Sequence, residues 1–482
     1  MAPSPPTGLK ELRSSSFTSG KYTTRLFFQV LFLFVLSSVA VSKSIIETLP
    51  GYSGNLPFKL ETGYVSVGEL DDVQLFYYFI ESERNPVKDP LLLWLTGGPG
   101  CSGFSGLTYE NIGPLNFDVP AFNGSLPTFQ LNPYSWTQVA NIIFLDAPVG
   151  TGFSYATTSS GYTSSDTKAA KDTYKFLRKW LMDHPKFSKN PLYITGDSYG
   201  GMQIPMIVLE ISNGNEAGLK PHMYLQGYMI GNPVTAPHND INSRFEFAHR
   251  VSLISDELYE LAKSYCEGEY ITPDPNNSDC MDELQLITES ISKVNQQHIL
   301  EPKCSVASAK PNQFFDDNSA DTILPFSQVP ELWCRNHNYV LSYVWANDQS
   351  VQEALNIRNG TITDWKRCNQ SLSYVYDVES VVSYHQILSK KGYRALIYSG
   401  DHDMVIPYVG TQKWIASLNL TTEDSWRPWF VEGQIAGYTE KYAQNGYRMT
   451  FATVKGGGHT APEYKPKQCL AMVDRWFSYY ML

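Results

Sequence analysis

The sequence predicts an α/β protein: a mostly parallel sheet covered by helices and interrupted late in the chain by an insertion. Three observations carry that expectation. Continuous apolar runs bounded by turn residues recur at 91–95, 141–145, 192–195, 224–230, 393–398 and 450–454. Short runs without polar alternation mark strands buried on both faces, the condition of a parallel sheet between helices. Helical spacing appears between and after these runs. Residues 165–184 place Ala170, Tyr174, Leu177, Trp180 and Leu181 on one stripe and stop at Pro185, which cannot continue a helix. Residues 469–479 repeat the pattern with Leu470, Val473, Trp476 and Phe477. The third observation is a gap in this alternation from about 235 to 379, where most of the cysteines fall. The expected layout is a core in two parts, 41–234 and 380–482, around an inserted cap at 235–379 packed over the end of the sheet. A separate second domain fits less well, because the sheet pattern resumes after the gap.

Composition narrows the function classes. The chain has 482 residues, 42% hydrophobic, 13% aromatic and 18% charged, with a net charge of -11. That is ample core material and excludes wholesale disorder. The acidic balance argues against nucleic acid as a partner, since phosphate binding needs clustered Lys and Arg. The amino terminus sets Lys10, Arg13, Lys21 and Arg25 before an apolar run at 26–36, with small residues at Ser38 and Ala40. This reads as a signal peptide, residues 1–40, cleaved near Ala40; the run is short of the roughly 20 residues needed to span a bilayer, which disfavours an uncleaved anchor. Cleavage removes four bases and one acid, so the net charge moves from -11 to -14. No stable membrane insertion is expected, and the destination is the secretory pathway, either vacuole or extracellular space.

Glycosylation sequons at Asn123, Asn276, Asn359, Asn369 and Asn419 agree with that route. The cysteines are Cys101, Cys266, Cys280, Cys304, Cys334, Cys368 and Cys469, an odd number without a C-x-x-C pair. Zinc is disfavoured, and three disulfides with one free thiol, assigned to Cys469, is the plain expectation in an oxidising compartment. The polar stretch from Cys304 to Cys334 has little periodicity and is expected to be an exposed, protease-sensitive loop.

Candidate chemistry lies where strands end. Gly196-Asp197-Ser198-Tyr199-Gly200 follows the run at 192–195 directly. Glycines flanking the serine allow backbone to pass close to backbone and lift the hydroxyl above the sheet at a helix start. A serine needs a base to accept its proton, and the base needs an orienting acid. Gly456-Gly457-Gly458-His459 follows the run at 450–454, and Gly400-Asp401-His402-Asp403 follows the run at 393–398. The order Ser, Asp, His is that of α/β-hydrolases rather than of trypsin-like or subtilisin-like enzymes. Two backbone donors are needed for the oxyanion; Tyr199 supplies one amide and Gly98, in Thr96-Gly97-Gly98-Pro99-Gly100-Cys101, the other. That loop lacks the G-K-[ST] ending of a phosphate loop, and no metal or organic cofactor is implied.

Together with Asp146-Ala147-Pro148-Val149-Gly150-Thr151-Gly152-Phe153-Ser154-Tyr155 and Gly231-Asn232-Pro233, these segments resemble the serine carboxypeptidase family from about Ile46 to the C-terminus. The resemblance implies an α/β-hydrolase fold with an inserted, disulfide-stapled cap. It also implies a triad of Ser198, Asp403 and His459, the second aspartate of G-D-x-D orienting the histidine. Disulfides Cys101–Cys368, Cys266–Cys280 and Cys304–Cys334 follow from it as well. Two positions depart from the peptidase pattern, which carries Asn where Thr96 stands and Glu where Asp197 stands. Those side chains, with Gly97 and a second carboxyl at Glu110, grip a peptide's C-terminal carboxylate. Here that grip should loosen by about 1 to 3 kcal/mol if a buried donor goes unpaired. The pairing is similar to plant serine carboxypeptidase-like acyltransferases. The implied function is transfer of an acyl group, phenolic or aliphatic, from a 1-O-β-glucose ester to a small-molecule acceptor. A serine carboxypeptidase is the alternative, and a non-catalytic member a third. Oligomeric state, acyl group and acceptor stay open.

Overall fold

The computed structural model describes residues 42–304, 314–315, 323–324 and 334–482. The expected signal peptide and most of the loop between Cys304 and Cys334 lie outside the described residues. Twelve strands form one mixed sheet. In chain order its long members are β1 (Ser42–Thr48), β2 (Asn55–Val67), β3 (Val73–Ile80), β4 (Leu91–Leu95), β5 (Asn141–Leu145), β6 (Leu192–Asp197), β7 (Leu225–Gly231), β8 (Arg394–Gly400), β9 (Thr421–Val431), β10 (Gln434–Gln444) and β11 (Tyr447–Val454). Across the sheet they run β1-β2-β3-β5-β4-β6-β7-β8-β11-β10-β9, and the short pair Tyr155–Ala156 adds to β3. The stretch β5-β4-β6-β7-β8-β11 is parallel throughout.

These six parallel strands are the six apolar runs. Alternate residues such as Leu92, Trp94, Phe144, Met229, Leu396 and Ala452 join one core cluster with Met472, Val473 and Trp476 of the C-terminal helix. Their neighbours Leu91, Leu93, Ile143, Ile194, Ile230 and Phe451 are buried as well. Both alternations face the interior, so apolar residues dominate both. The flanking strands β1, β2, β9 and β10 have no such runs. The first five residues of β2 and most of β9 stay partly or fully exposed, so their sequences mix polar with apolar residues and escape the criterion.

Helix α1 (Asp166–Asp183) starts at Ser165, whose hydroxyl accepts from the Lys168 amide at 3.2 Å, and ends before Pro185. It buries Ala169, Ala170, Thr173, Phe176, Leu177, Trp180 and Leu181. Helix α2 (Gly200–Glu216) follows β6 across the serine turn. Between β7 and β8 come α3 (Pro237–Arg250), α4 (Asp256–Tyr265) and α5 (Ser278–Ile291), followed by shorter helices. Strands described between 235 and 379 are two-residue pieces only. The helices bury Phe247, Ala248, Ile254, Ala262, Leu284 and Ile287 in their own cluster, joined by Met404 and Val409 from beyond β8. The Val381 amide donates to the Thr235 carbonyl at 2.9 Å, closing the base of this region. Helix α6 (Pro466–Phe477) begins three residues earlier than its apolar pattern, with Pro466 in the first turn.

Disulfides join Cys101 to Cys368, Cys266 to Cys280 and Cys304 to Cys334, the pairs implied by the resemblance. Cys469 is free and buried, and burial pushes its thiol well up. Among the described residues no helix is long and apolar enough to cross a membrane.

Candidate active site

The turn after β6 holds Ser198 at φ +53°, in the left-handed region that costs an L-residue conformational energy. It is fastened at both ends. The Ser198 amide donates to Gly231 O at 3.1 Å, and its carbonyl accepts from Gly201 N and Val234 N at 2.9 Å each. Crowding explains the glycines unevenly. A Cβ on Gly196 would lie 2.2 Å from Leu95 O and one on Gly201 2.4 Å from Val234 O, whereas one on Gly200 meets Leu95 O only at 3.2 Å. The close approach after the serine is therefore at Gly201, one residue beyond the pentapeptide.

Three strand ends bring the polar groups together. Ser198 Oγ lies 2.8 Å from His459 Nε2, and His459 Nδ1 lies 2.9 Å from Asp403 Oδ2. Asp403 is fully buried and accepts also from Asn232 Nδ2 at 2.8 Å, Val405 N at 2.7 Å and Ile406 N at 3.1 Å. The neighbouring Asp401 faces elsewhere, onto His402 Nδ1 at 2.6 Å and Gly456 N at 2.7 Å. Burial pulls the His459 imidazole down, but the adjacent Asp403 carboxylate outweighs it and the net shift is upward. The inserted region takes part directly: His459 N donates to Gln297 O at 2.7 Å, and Met404 N to Gln296 O at 2.8 Å. A Cβ on Gly458 would come within 2.4 Å of that Gln297 carbonyl.

The loop after β4 faces the serine. A Cβ on Gly97 would sit 2.5 Å from Ser198 Cβ and 3.0 Å from Tyr199 N. The Gly97 amide is already engaged, donating to Asp197 Oδ1 at 2.9 Å. The amides of Gly98 and Tyr199 have no partner among the described residues and stay available to an anion. Asp146 anchors the far side of the loop, accepting from Ser102 Oγ at 2.5 Å, Gly103 N at 2.9 Å and Phe153 N at 2.8 Å. Burial still pushes its carboxyl up to about 7.

Two more buried carboxyls complete the site. Glu110 Oε2 accepts from Trp94 Nε1 at 3.0 Å and Thr96 Oγ1 at 3.4 Å. Asp197 Oδ2 accepts from Thr460 Oγ1 at 3.3 Å. Burial, then the Asp197 charge, holds Glu110 well above the carboxylate range; burial also raises Asp197, against the pull of His459. A pair of this kind keeps at least one proton at mildly acid pH. Arg367 lies over the Tyr339 ring at 4.0 Å, and its charge acts on Glu110 and Asp197. The sequence motifs contained Asn232 without disclosing what it does; a polar side chain ending a buried strand (β7) is the local signal for it. Thr460, Arg367 and Gln297 carry no such signal.

Of the sequon asparagines, Asn123, Asn276, Asn359 and Asn419 are exposed. Asn369 is half-buried and its Nδ2 donates to Gly150 O at 2.9 Å. No cluster of three or more His, Cys, Asp or Glu among the described residues is arranged to hold a metal ion.

A family model described as serine carboxypeptidase matches residues 50–479. The chain belongs to the serine carboxypeptidase family. Serine carboxypeptidase-like 7 of Arabidopsis thaliana is 49% identical over 457 residues, 95% of this chain and 98% of the relative. Serine carboxypeptidase-like 16 of the same plant is 50% identical over 444 residues, 92% and 96% of the two chains. The crystal structure of Kex1(delta)p, a prohormone-processing carboxypeptidase from Saccharomyces cerevisiae, superposes with a TM-score of 0.64 at 20% identity, covering 88% of this chain and 91% of that one. This serine carboxypeptidase family enzyme has the α/β-hydrolase fold, with its hydroxyl, imidazole and carboxylate on the ends of β6, β11 and β8.

Proposed function

We propose that the enzyme is an acyltransferase that moves an acyl group from a 1-O-β-glucose ester to an acceptor through an acyl-enzyme on Ser198. His459 Nε2 accepts the Ser198 proton as Oγ attacks the ester carbonyl, and the amides of Gly98 and Tyr199 receive the oxyanion. Asp403 keeps the imidazole in the tautomer that accepts at Nε2 and stabilises the imidazolium. The proton passes to the departing glucose oxygen. An acceptor hydroxyl then gives its proton to His459 and attacks the acyl carbon; the bond to Ser198 Oγ breaks and His459 returns the proton to that oxygen. The product ester outruns hydrolysis when the acceptor is held close and water is scarce.

The observation that carries this reading is the state of Asp197 and Thr96. Asp197 Oδ1 is spent on the Gly97 amide, and the Thr96 hydroxyl is confined between Trp94 Nε1 at 3.1 Å and Glu110. Neither reaches out as the Glu and Asn of the peptidase pattern would, which weakens capture of a peptide carboxylate. The retained Glu110–Asp197 pair favours a second reading, a serine carboxypeptidase working at acid pH, where a proton on the pair donates to that carboxylate. The deciding experiment offers the purified enzyme a blocked dipeptide and, separately, a glucose ester with a phenolic acceptor, at about pH 4 to 6, where the pair keeps a proton. Ester exchange without amino-acid release is expected. Rapid release of a C-terminal amino acid with no transfer would establish the peptidase instead.

A further inference from the structure

Asp166 opens α1, is fully buried and makes no ion pair among the described residues. Its carboxylate is filled by hydrogen bonds from two other parts of the chain. Tyr199 Oη and Tyr374 Oη donate to Oδ1 at 2.6 and 2.8 Å, while the amides of Asp377 and Val378 donate to Oδ2 at 2.9 and 3.2 Å. One of these residues, Tyr199, follows Ser198 immediately. The others belong to a segment fixed along the start of α1. Tyr374 and Val375 pair with Ser164 and Ser165 there, and Asp377 accepts from Thr167 N at 3.1 Å and Oγ1 at 2.5 Å.

The clamp gathers three aromatic rings. Tyr199 lies 6.3 Å from Tyr374 and 5.9 Å from Tyr376, and Tyr374 lies 5.3 Å from Tyr376, all in edge-to-face arrangements. Tyr376 is 67% exposed, and its hydroxyl has no hydrogen-bond partner among the described residues. A large ring held in place yet left open to solvent is a ready surface for another flat apolar group.

We infer that Asp166 is a positioning residue that holds Tyr199 and Tyr376 as an aromatic wall beside Ser198, selecting flat aromatic acyl groups. This rests on the acyl-enzyme proposed above. Asparagine at 166 fills the same volume but has one acceptor oxygen and a donor in place of the second. The 377–378 amides can only donate and would claim the remaining oxygen, so the two phenols would have to turn and accept from Nδ2, exchanging short bonds to a carboxylate for weaker ones to a neutral amide.

The test uses p-nitrophenyl cinnamate and p-nitrophenyl acetate, which share a leaving group, so the ratio of their kcat/KM values isolates acyl preference. The parent enzyme should favour cinnamate. In Asp166→Asn and in Tyr376→Ala the ratio should fall roughly tenfold, a change of about 1.4 kcal/mol in discrimination. A global loss of packing lowers both rates and leaves the ratio alone. A ratio within twofold of the parent in the folded variants would overturn the inference. Tyr376→Ala removes an exposed side chain that no hydrogen bond among the described residues ties, and it decides alone if Asp166→Asn fails to fold. Both esters acylate Ser198 whether the enzyme is a transferase or a peptidase, so failure of glucose-ester transfer leaves this result standing. A parent enzyme silent toward both esters would overturn the acyl-enzyme and the aromatic wall together.

Discussion

Two sets of buried carboxyls flank Ser198, and the chain equips them differently. Asp403 accepts from three nitrogens of the protein besides His459. Glu110 and Asp197 have two donors each, the closest being single N–H groups at 3.0 and 2.9 Å. Burial then dominates and both rise above their ordinary range. The lesson is that donors and charged neighbours, not burial alone, assign the job. A carboxylate ringed by N–H groups is suited to orienting a base, whereas an underserved pair stores a proton and turns to a ligand for hydrogen bonds.

The comparison breaks most visibly on the Asp403 side. Asp403→Asn presents the wrong hydrogen-bonding face to His459 Nδ1 and should lower ester turnover by about 10⁴-fold, approaching Ser198→Ala. Loss of less than tenfold in steady-state assays would deny Asp403 its role. Asn232→Ala removes a donor at 2.8 Å while leaving the two amides. Turnover should drop by about 10 to 100-fold, mainly in kcat. On the other side, Thr96→Asn with Asp197→Glu restores the peptidase arrangement. Release of the C-terminal residue from a blocked dipeptide should rise by about tenfold, within the worth of one rescued buried hydrogen bond. No change would sever the link between these positions and carboxylate capture.

The smallest effect is on stability. Asp146 and Asp240, both raised by burial to about 7, join Glu110, Asp197 and Glu463, which burial also lifts. Unfolding frees these groups to ionise near their ordinary value of about 4, so between pH 4 and 7 the folded state holds more protons. Stability from these groups is therefore lost as pH rises through that window. Buried His385, held down to about 3, and His298, also lowered by burial, oppose this below their unfolded values. Scanning calorimetry should find a higher Tm at pH 5.5 than at pH 7.5; the reverse order would show that other groups govern the balance.

How much of this is legible without coordinates depends on how local the cause is. All six parallel strands announce themselves because both of their faces are buried, and α1 because Ser165 and Pro185 punctuate it. The outer strands β9 and β10 pair at registers that local sequence does not encode, and their exposed faces dilute the apolar signal. Ser198 and His459 stand out because glycines crowd around strand ends. The choice between Asp401 and Asp403 depends on the resemblance, since both are aspartates in one turn. Asp166 is beyond reach, because its Tyr199 partner lies 33 residues away; Asn232 shows locally as a polar residue at the end of a buried strand, but its partner lies 171 residues away.

The carbonyls of Gln296 and Gln297 belong to the region between β7 and β8, yet they carry the amides of Met404 and His459. That region is thus more than a lid exchangeable for another. Trimming it to a minimal hydrolase would remove the peg on which His459 hangs. A chimera built from two relatives would need residues 296–299 and the β11 loop from the same parent to keep its chemistry.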